Sequence, residues 1–166
     1  MEDLSSTYLK DVNQRFRSLK TLADRTLSQI RDGELSQALD EQGNSIMVLM
    51  KHLSGNIINR WTNPFASDED KPPRDRDNEF VVTDKDTKKV VYDKWEKAWA
   101  ALFLTLGGLF SEDLGRIVYH MGRSSTLIAA LNSQMIHYAQ HVGQMIFLGK
   151  YFRKADWESL SIPRKR

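Results

Sequence analysis

His137 and His141 stand four residues apart in a segment that reads as helix, so their imidazoles leave one face about a turn apart and can reach the same metal ion. The pair falls on the apolar stripe Leu127, Ala130, Leu131, Gln134, His137, Tyr138, His141, Met145 and Leu148, not on the solvated face. Two buried imidazoles side by side are costly unless they are hydrogen-bonded or metallated. His52 is the natural third ligand. It lies mid-helix at the edge of another apolar face, and such side chains on facing helices of a bundle converge on its interior. Three neutral imidazoles from two helices leave coordination positions open, the layout of a catalytic rather than a closed structural site. The reactive group there is a water or thiol whose pKa a divalent ion lowers. Two plainer readings stand beside this one: His52 as a satisfied core histidine, and His137 with His141 as a pair that only packs.

Other residues bear on the same site. Asn56, one turn after His52, and Gln134 and Gln144, flanking the pair, are candidate supporting groups, and helix packing explains each of them as well. His120 sits in a connector beside Tyr119, Met121 and Gly122 and reads as a loop residue. The run Arg74-Asp-Arg-Asp-Asn-Glu79 is either a lid that brings charge to a substrate or a solvated loop. Trp95, Trp99, Met47, Met50, Met135 and Met145 recur at helical spacing and read as core. The chain has no G-x-S-x-G elbow, phosphate loop, dinucleotide fingerprint or cysteine nucleophile.

The elements that must carry these residues are helices. From Ser5 to Ile30 the apolar residues Val12, Phe16, Leu19, Ala23 and Ile30 mark one buried face, with a stop at Arg31-Asp-Gly33. Glu34 to Gly43 is a short helix or a loop. A second helix is predicted from Asn44 or Ser45, with Ile46, Leu49, Leu53, Ile57 and Trp61 on one stripe and Val48, His52 and Asn56 on the next, closing at Asn63-Pro64. Residues 62–84 form a long connection, uncommon unless it is a crossover, a lid or disordered. A third helix runs from Asp86 to Leu109 on Val91, Trp95, Ala98, Leu102, Thr105 and Leu109. Ser111 to Arg123 is a connector, briefly extended at Ile117-Val-Tyr119, and Ser124 or Ser125 caps a fourth helix that reaches Phe152. No segment carries a hairpin signal, so the expected fold is all-α: a single domain over residues 1–166, a four-helix bundle with a long crossover between helices 2 and 3 and a short C-terminal tail over 155–166.

Composition agrees with one soluble unit. The 166 residues are 40% hydrophobic and 28% charged, with 24 basic against 22 acidic side chains. That balance is a poor footprint for nucleic acid, and the basic tail Arg164, Lys165 and Arg166 reads as a solvated terminus. Without cysteine there is no disulfide, and any metal must sit on nitrogen and oxygen. The start Met1-Glu-Asp-Leu-Ser-Ser6 lacks the basic and apolar runs of a secretory signal, and no stretch approaches the ~20 apolar residues of a membrane span. A soluble, cytoplasmic protein is expected.

Three stretches carry a resemblance. Asn44-Ser-Ile-Met-Val-Leu-Met-Lys-His52-Leu-Ser-Gly-Asn-Ile-Ile-Asn-Arg-Trp61, Arg74-Asp-Arg-Asp-Asn-Glu-Phe80 and Leu131-Asn-Ser-Gln-Met-Ile-His137-Tyr-Ala-Gln-His141-Val-Gly-Gln144, with the ending Trp157-Glu-Ser-Leu-Ser-Ile-Pro163, resemble the DinB-like (YfiT-like) superfamily, and within it a bacterial branch of uncharacterised function. The resemblance covers nearly the whole chain. It implies a four-helix bundle, often a homodimer, holding one divalent metal ion on His52, His137 and His141; nickel or zinc is expected first, manganese or iron after them. Some relatives join a low-molecular-weight thiol to an electrophile, so the resemblance implies a small-molecule substrate and, in some members, thiol S-transferase activity. The competing expectation is a non-catalytic helical module that binds metal for stability or recruits a partner.

Overall fold

The first amides of a helix have no partner within it, and a short oxygen-bearing side chain can supply one. The computed structural model describes residues 3–162; Met1, the basic tail Arg164, Lys165 and Arg166, and Pro163 lie outside the described residues. In helix α1 (Leu4–Leu27) the Asp3 carboxylate accepts from Ser6 N at 2.9 Å. A four-residue helix α2 (Asp32–Leu35) follows. Helix α3 (Ile46–Trp61) starts where Ser45 Oγ accepts from Val48 N, α4 (Lys88–Gly107) where Thr87 Oγ1 accepts from Val90 N, and α5 (Leu127–Arg153) where Thr126 Oγ1 accepts from Ala129 N.

The four long helices pack as a bundle around one continuous apolar core. α3 lies closest to α4 and α1 closest to α5, with α3 also against α5. α3 is buried nearly all round, so its polar residues must find partners inside the protein. Ser54 donates to Met50 O, and Asn56 Oδ1 accepts from Tyr138 OH at 2.9 Å. Tyr138 in turn accepts from Trp61 Nε1 at 2.9 Å, and burial pushes its phenol pKa up. The long connection between α3 and α4 is neither disordered nor a bare crossover. A 3₁₀ turn at Asp77–Phe80 packs on α3, and Lys51 donates to Val81 O and pairs with Asp86 at 2.7 Å. Among the described residues no helix is long and apolar enough to cross a membrane.

The structure departs from the sequence reading in several places. α1 stops at Leu27 instead of Ile30, because Gln29 N and Ile30 N turn back to Thr26 O and Leu27 O. Asp32 and Gly33 belong to α2 rather than to a stop: the Glu34 carboxylate accepts from Arg31 N at 2.8 Å and so starts a new helix. The connector contains an antiparallel hairpin, β1 (Ile117–His120) with β2 (Arg123–Thr126). Its two turn residues, Met121 (φ 52°) and Gly122 (φ 73°), both have positive φ, the arrangement of a type I′ turn. That turn favours Asn or Asp where this chain has Met121, so the usual signal is missing. The cap of α5 is Thr126, not Ser124 or Ser125, which are consumed in β2.

Two outcomes follow from this packing. Tyr138→Phe leaves Trp61 Nε1–H and Asn56 Oδ1 buried without their partner and should cost about 1–3 kcal/mol, read from urea unfolding. The Asp86 carboxyl titrates below its ordinary value: burial raises it, but the Lys51 ammonium and the Thr83 amide and hydroxyl outweigh burial. Its contribution is therefore complete above the usual carboxylate range and is lost as pH falls through the depressed value. Asp86→Asn should lower stability at neutral pH and flatten the acid limb below about pH 4, measured as melting temperature against pH.

Candidate metal centre

α3 brings His52 into the bundle interior, and α5 brings His137 and His141 to the same point from a facing helix, four residues and one turn apart. His52 is buried, and the other two are half-buried. His52 Nε2 lies 3.2 Å from His137 Nε2, and His141 Nε2 lies 3.0 Å from His137 Nε2. Nitrogens that each bind one tetrahedral ion at ordinary length stand about 3.3 Å apart. One ring atom from each residue lies within 4.8 Å of the others, and no carboxylate joins the group among the described residues. The donor set and its spacing are those of a divalent-metal site with three imidazoles.

The opposite nitrogens point to the same conclusion. His52 Nδ1 meets Glu79 Oε2 at 3.0 Å and His141 Nδ1 meets Gln144 Oε1 at 2.8 Å. Both partners are acceptors, so each ring carries its proton on Nδ1 and turns a bare Nε2 inward. His137 Nδ1 is buried without a hydrogen-bond partner. Burial first, and then the neighbouring imidazoles His141 and His52, lower the pKa of His137 to about 4. Burial also lowers His141, against the pull of Gln144. Both rings are thus neutral at ordinary pH, the form in which imidazole ligates a metal.

Glu79 is held as firmly as the ring it orients. Arg74 donates to it twice, Nε to Oε1 and Nη2 to Oε2, each at 2.7 Å. Burial raises the Glu79 carboxyl, but Arg74 and His52 outweigh burial and hold it below its ordinary value. The carboxylate fits only because Gly55 faces it: a Cβ there would come 1.9 Å from Glu79 Oε1. Phe80, the next residue, covers His52 with ring centroids 4.9 Å apart.

The sequence brought His52, His137 and His141 forward, and the structure gathers all three. Gln144 supports His141 as expected, whereas Asn56 bonds Tyr138 and the Gln134 Oε1 is buried without a hydrogen-bond partner. His120 ends β1 outside the cluster. The run Arg74–Glu79 splits: Arg74 and Glu79 turn inward, while Asp75, Arg76, Asp77 and Asn78 stay exposed. Sequence reasoning did not single out Glu79, because one acid in a charged run has no periodicity to mark it as buried. The signal lay in Gly55, a glycine inside an apolar helix.

Comparison with known proteins agrees with this architecture. The family described as "Protein of unknown function (DUF1572)" matches residues 3–166. Among solved structures, YfiT from Bacillus subtilis, described as a probable metal-dependent hydrolase with an unusual four-helix bundle topology, is similar at 16% identity and a TM-score of 0.71, covering 92% of this chain and 91% of its own. A DinB-like protein from Bacillus cereus is similar at 20% identity and a TM-score of 0.56, covering 83% and 90%. A conserved protein from Enterococcus faecalis is similar at 20% identity and a TM-score of 0.54, covering 89% and 94%. No curated protein matches the chain. At these identities the likeness to solved structures concerns the fold alone, a four-helix bundle like that of YfiT.

The slot at Gly55 supplies a direct check. Gly55→Ala should displace Glu79 from His52 and lower metal affinity by ~10–100-fold with helicity retained. Gly143→Ala, where an added Cβ meets nothing within 4 Å, should leave affinity unchanged; both are measured by competition with a chromophoric chelator.

Proposed function

This chain belongs to the DUF1572 family of proteins of unknown function, and on that premise we propose that it is a metal-dependent enzyme acting on a small molecule. His52, His137 and His141 are its three protein ligands to one divalent ion, nickel or zinc in the first instance. The observation that carries this reading is the meeting of three Nε2 atoms whose opposite nitrogens, on His52 and His141, are tied to acceptors. Such an ion supplies Lewis acidity that polarises a substrate oxygen or lowers the pKa of a water or thiol.

The chain's own residues set the rest. Glu79 fixes the tautomer of His52, Arg74 fixes Glu79, and Gln144 fixes His141. Phe80 shields one side of the cluster from water. Glu79 has both oxygens committed and a depressed pKa, so it is a poor general base. No other acid joins the cluster among the described residues. This favours a nucleophile that ionises readily without one, a low-molecular-weight thiol, over water. The reaction is then thiol transfer to an electrophile, with metal-dependent hydrolysis, the class named as probable for YfiT, as the second reading. Exposed Ile136, Phe147 and Tyr151 share one face of α5 and offer a surface for a homodimer.

The test is elemental analysis of tag-free protein together with two parallel assays, conjugation of small thiols to a chlorinated aromatic electrophile and hydrolysis of nitrophenyl esters. One ion per chain is expected, with thiol conjugation falling about a hundredfold or more in His141→Ala and after chelation, while circular dichroism stays unchanged. Conjugation that survives metal removal would remove this reading, and ester hydrolysis alone would replace the thiol with water.

A further inference from the structure

A cavity of about 640 Å³ opens between α3, α4 and the connection that joins them. Lys51, Gly55 and Ile58, at i, i+4 and i+7, line it from one face of α3, and Lys94 and Lys97, at i and i+3, line it from α4. The connection supplies the third side, with Asp75, Glu79, Lys85 and Asp86 among its residues. The volume is that of a small-molecule site. None of the three histidines lines this cavity, but it shares a wall with their centre: Glu79, which meets His52 at 3.0 Å, and Gly55, against which Glu79 lies.

The charges around it do not cancel. Lys51 is bound to Asp86 at 2.7 Å, and Glu79 to Arg74 and His52. Asp75 is the one carboxylate of the wall without a cation among the described residues, and both its oxygens accept from Asn78. Lys85, Lys94 and Lys97 are exposed and have neither an ion pair nor a hydrogen bond among the described residues. Two acids of α4 that could have answered them are taken. Asp93, one turn before Lys97, pairs with Lys89 at 2.5 Å, and Glu96 pairs with Lys20 at 2.9 Å. Three ammonium groups from two segments of the chain thus converge on one concave wall against a single carboxylate. A cleft with such an excess of one sign concentrates ions of the other. Ile58 and the lysine stems give it apolar surface as well.

We infer that this cavity binds a small polyanion, a molecule with two or more negative charges on phosphate or carboxylate groups, through Lys85, Lys94 and Lys97. Ammonium groups on flexible stems act as movable point charges, so they suit a ligand with several charged oxygens and no single plane, where a guanidinium would select one planar face. A single negative charge would leave the excess of cations unanswered. The inference does not rest on the metal-enzyme reading, since no residue of the wall is one of the three histidines.

Calorimetric titration of fructose 1,6-bisphosphate and, separately, of tricarballylate into the full chain, as purified and after chelation, tests this. Wild type is compared with Lys94→Gln, Lys97→Gln and a control of equal charge change, Lys150→Gln, an exposed lysine of α5 that does not line the cavity. One molecule should bind per chain, with and without metal, and the tighter of the two probes names the anionic group. Affinity should fall about fivefold or more in each of the two α4 variants, as expected for the loss of one close cation in water, and should be kept in Lys150→Gln. The bound probe should also raise the melting temperature of wild type more than that of either α4 variant. All three substitutions replace exposed side chains, so circular dichroism should match wild type. Binding of neither probe would overturn the inference, as would equal affinity in wild type and both α4 variants. A loss in Lys150→Gln as large as in Lys94→Gln marks a response to overall charge and overturns it too. Binding abolished by chelation places the anion on the ion and overturns the inference while leaving the metal reading intact. Binding that depends on Lys94 and Lys97 in protein that holds no metal supports the inference even where the metal reading fails.

Discussion

Three imidazoles can share an ion only if each turns a deprotonated nitrogen toward the same point, and in water an imidazole has no preference strong enough to ensure it. Here the preference is imposed from behind the rings. The Glu79 carboxylate behind His52 and the Gln144 amide oxygen behind His141 accept the Nδ1 protons, leaving both Nε2 atoms free to face His137. Glu79 can take that position because Arg74 neutralises it in a buried place where a lone carboxylate would be protonated or expelled.

The rest of the fold follows from bringing these groups together. α3 is surrounded by protein, so the connection that leaves it cannot simply pass through solvent. It returns across α3, lays Glu79 on Gly55 and pins its far end through Lys51 and Asp86. Trp61, Tyr138 and Asn56 form a chain of two buried hydrogen bonds that ties α3 to α5. The hairpin is tied to the same connection by Asp68 on Gly122 N and by Lys71 on Tyr119 O. The cluster is thus enclosed by side chains whose partners are mutual, the condition under which buried polar networks specify a single arrangement.

Much of this could be read from the amino acids. A 3.6-residue apolar period in four segments fixed the bundle, and His137 with His141 on the apolar stripe of one segment, and His52 within another, identified the residues that meet. What escaped reading has physical causes. The hairpin turn uses Met121 where asparagine or aspartate usually marks a left-handed residue, and its strands are only four residues long. Glu79 and Arg74 sit in a run of charges whose other members are solvated, and nothing local distinguishes the two that turn inward. The boundaries at Leu27 and Thr126 depended on which of several adjacent residues closed the backbone bonds.

X-ray absorption at the metal edge of the loaded, tag-free protein bears on all of this at once. Three imidazole nitrogens at about 2.0–2.1 Å, with the remaining positions filled by oxygen or by an added thiol, are expected. A shell with fewer than three imidazoles, or one completed by a protein carboxylate, would contradict a site built on His52, His137 and His141.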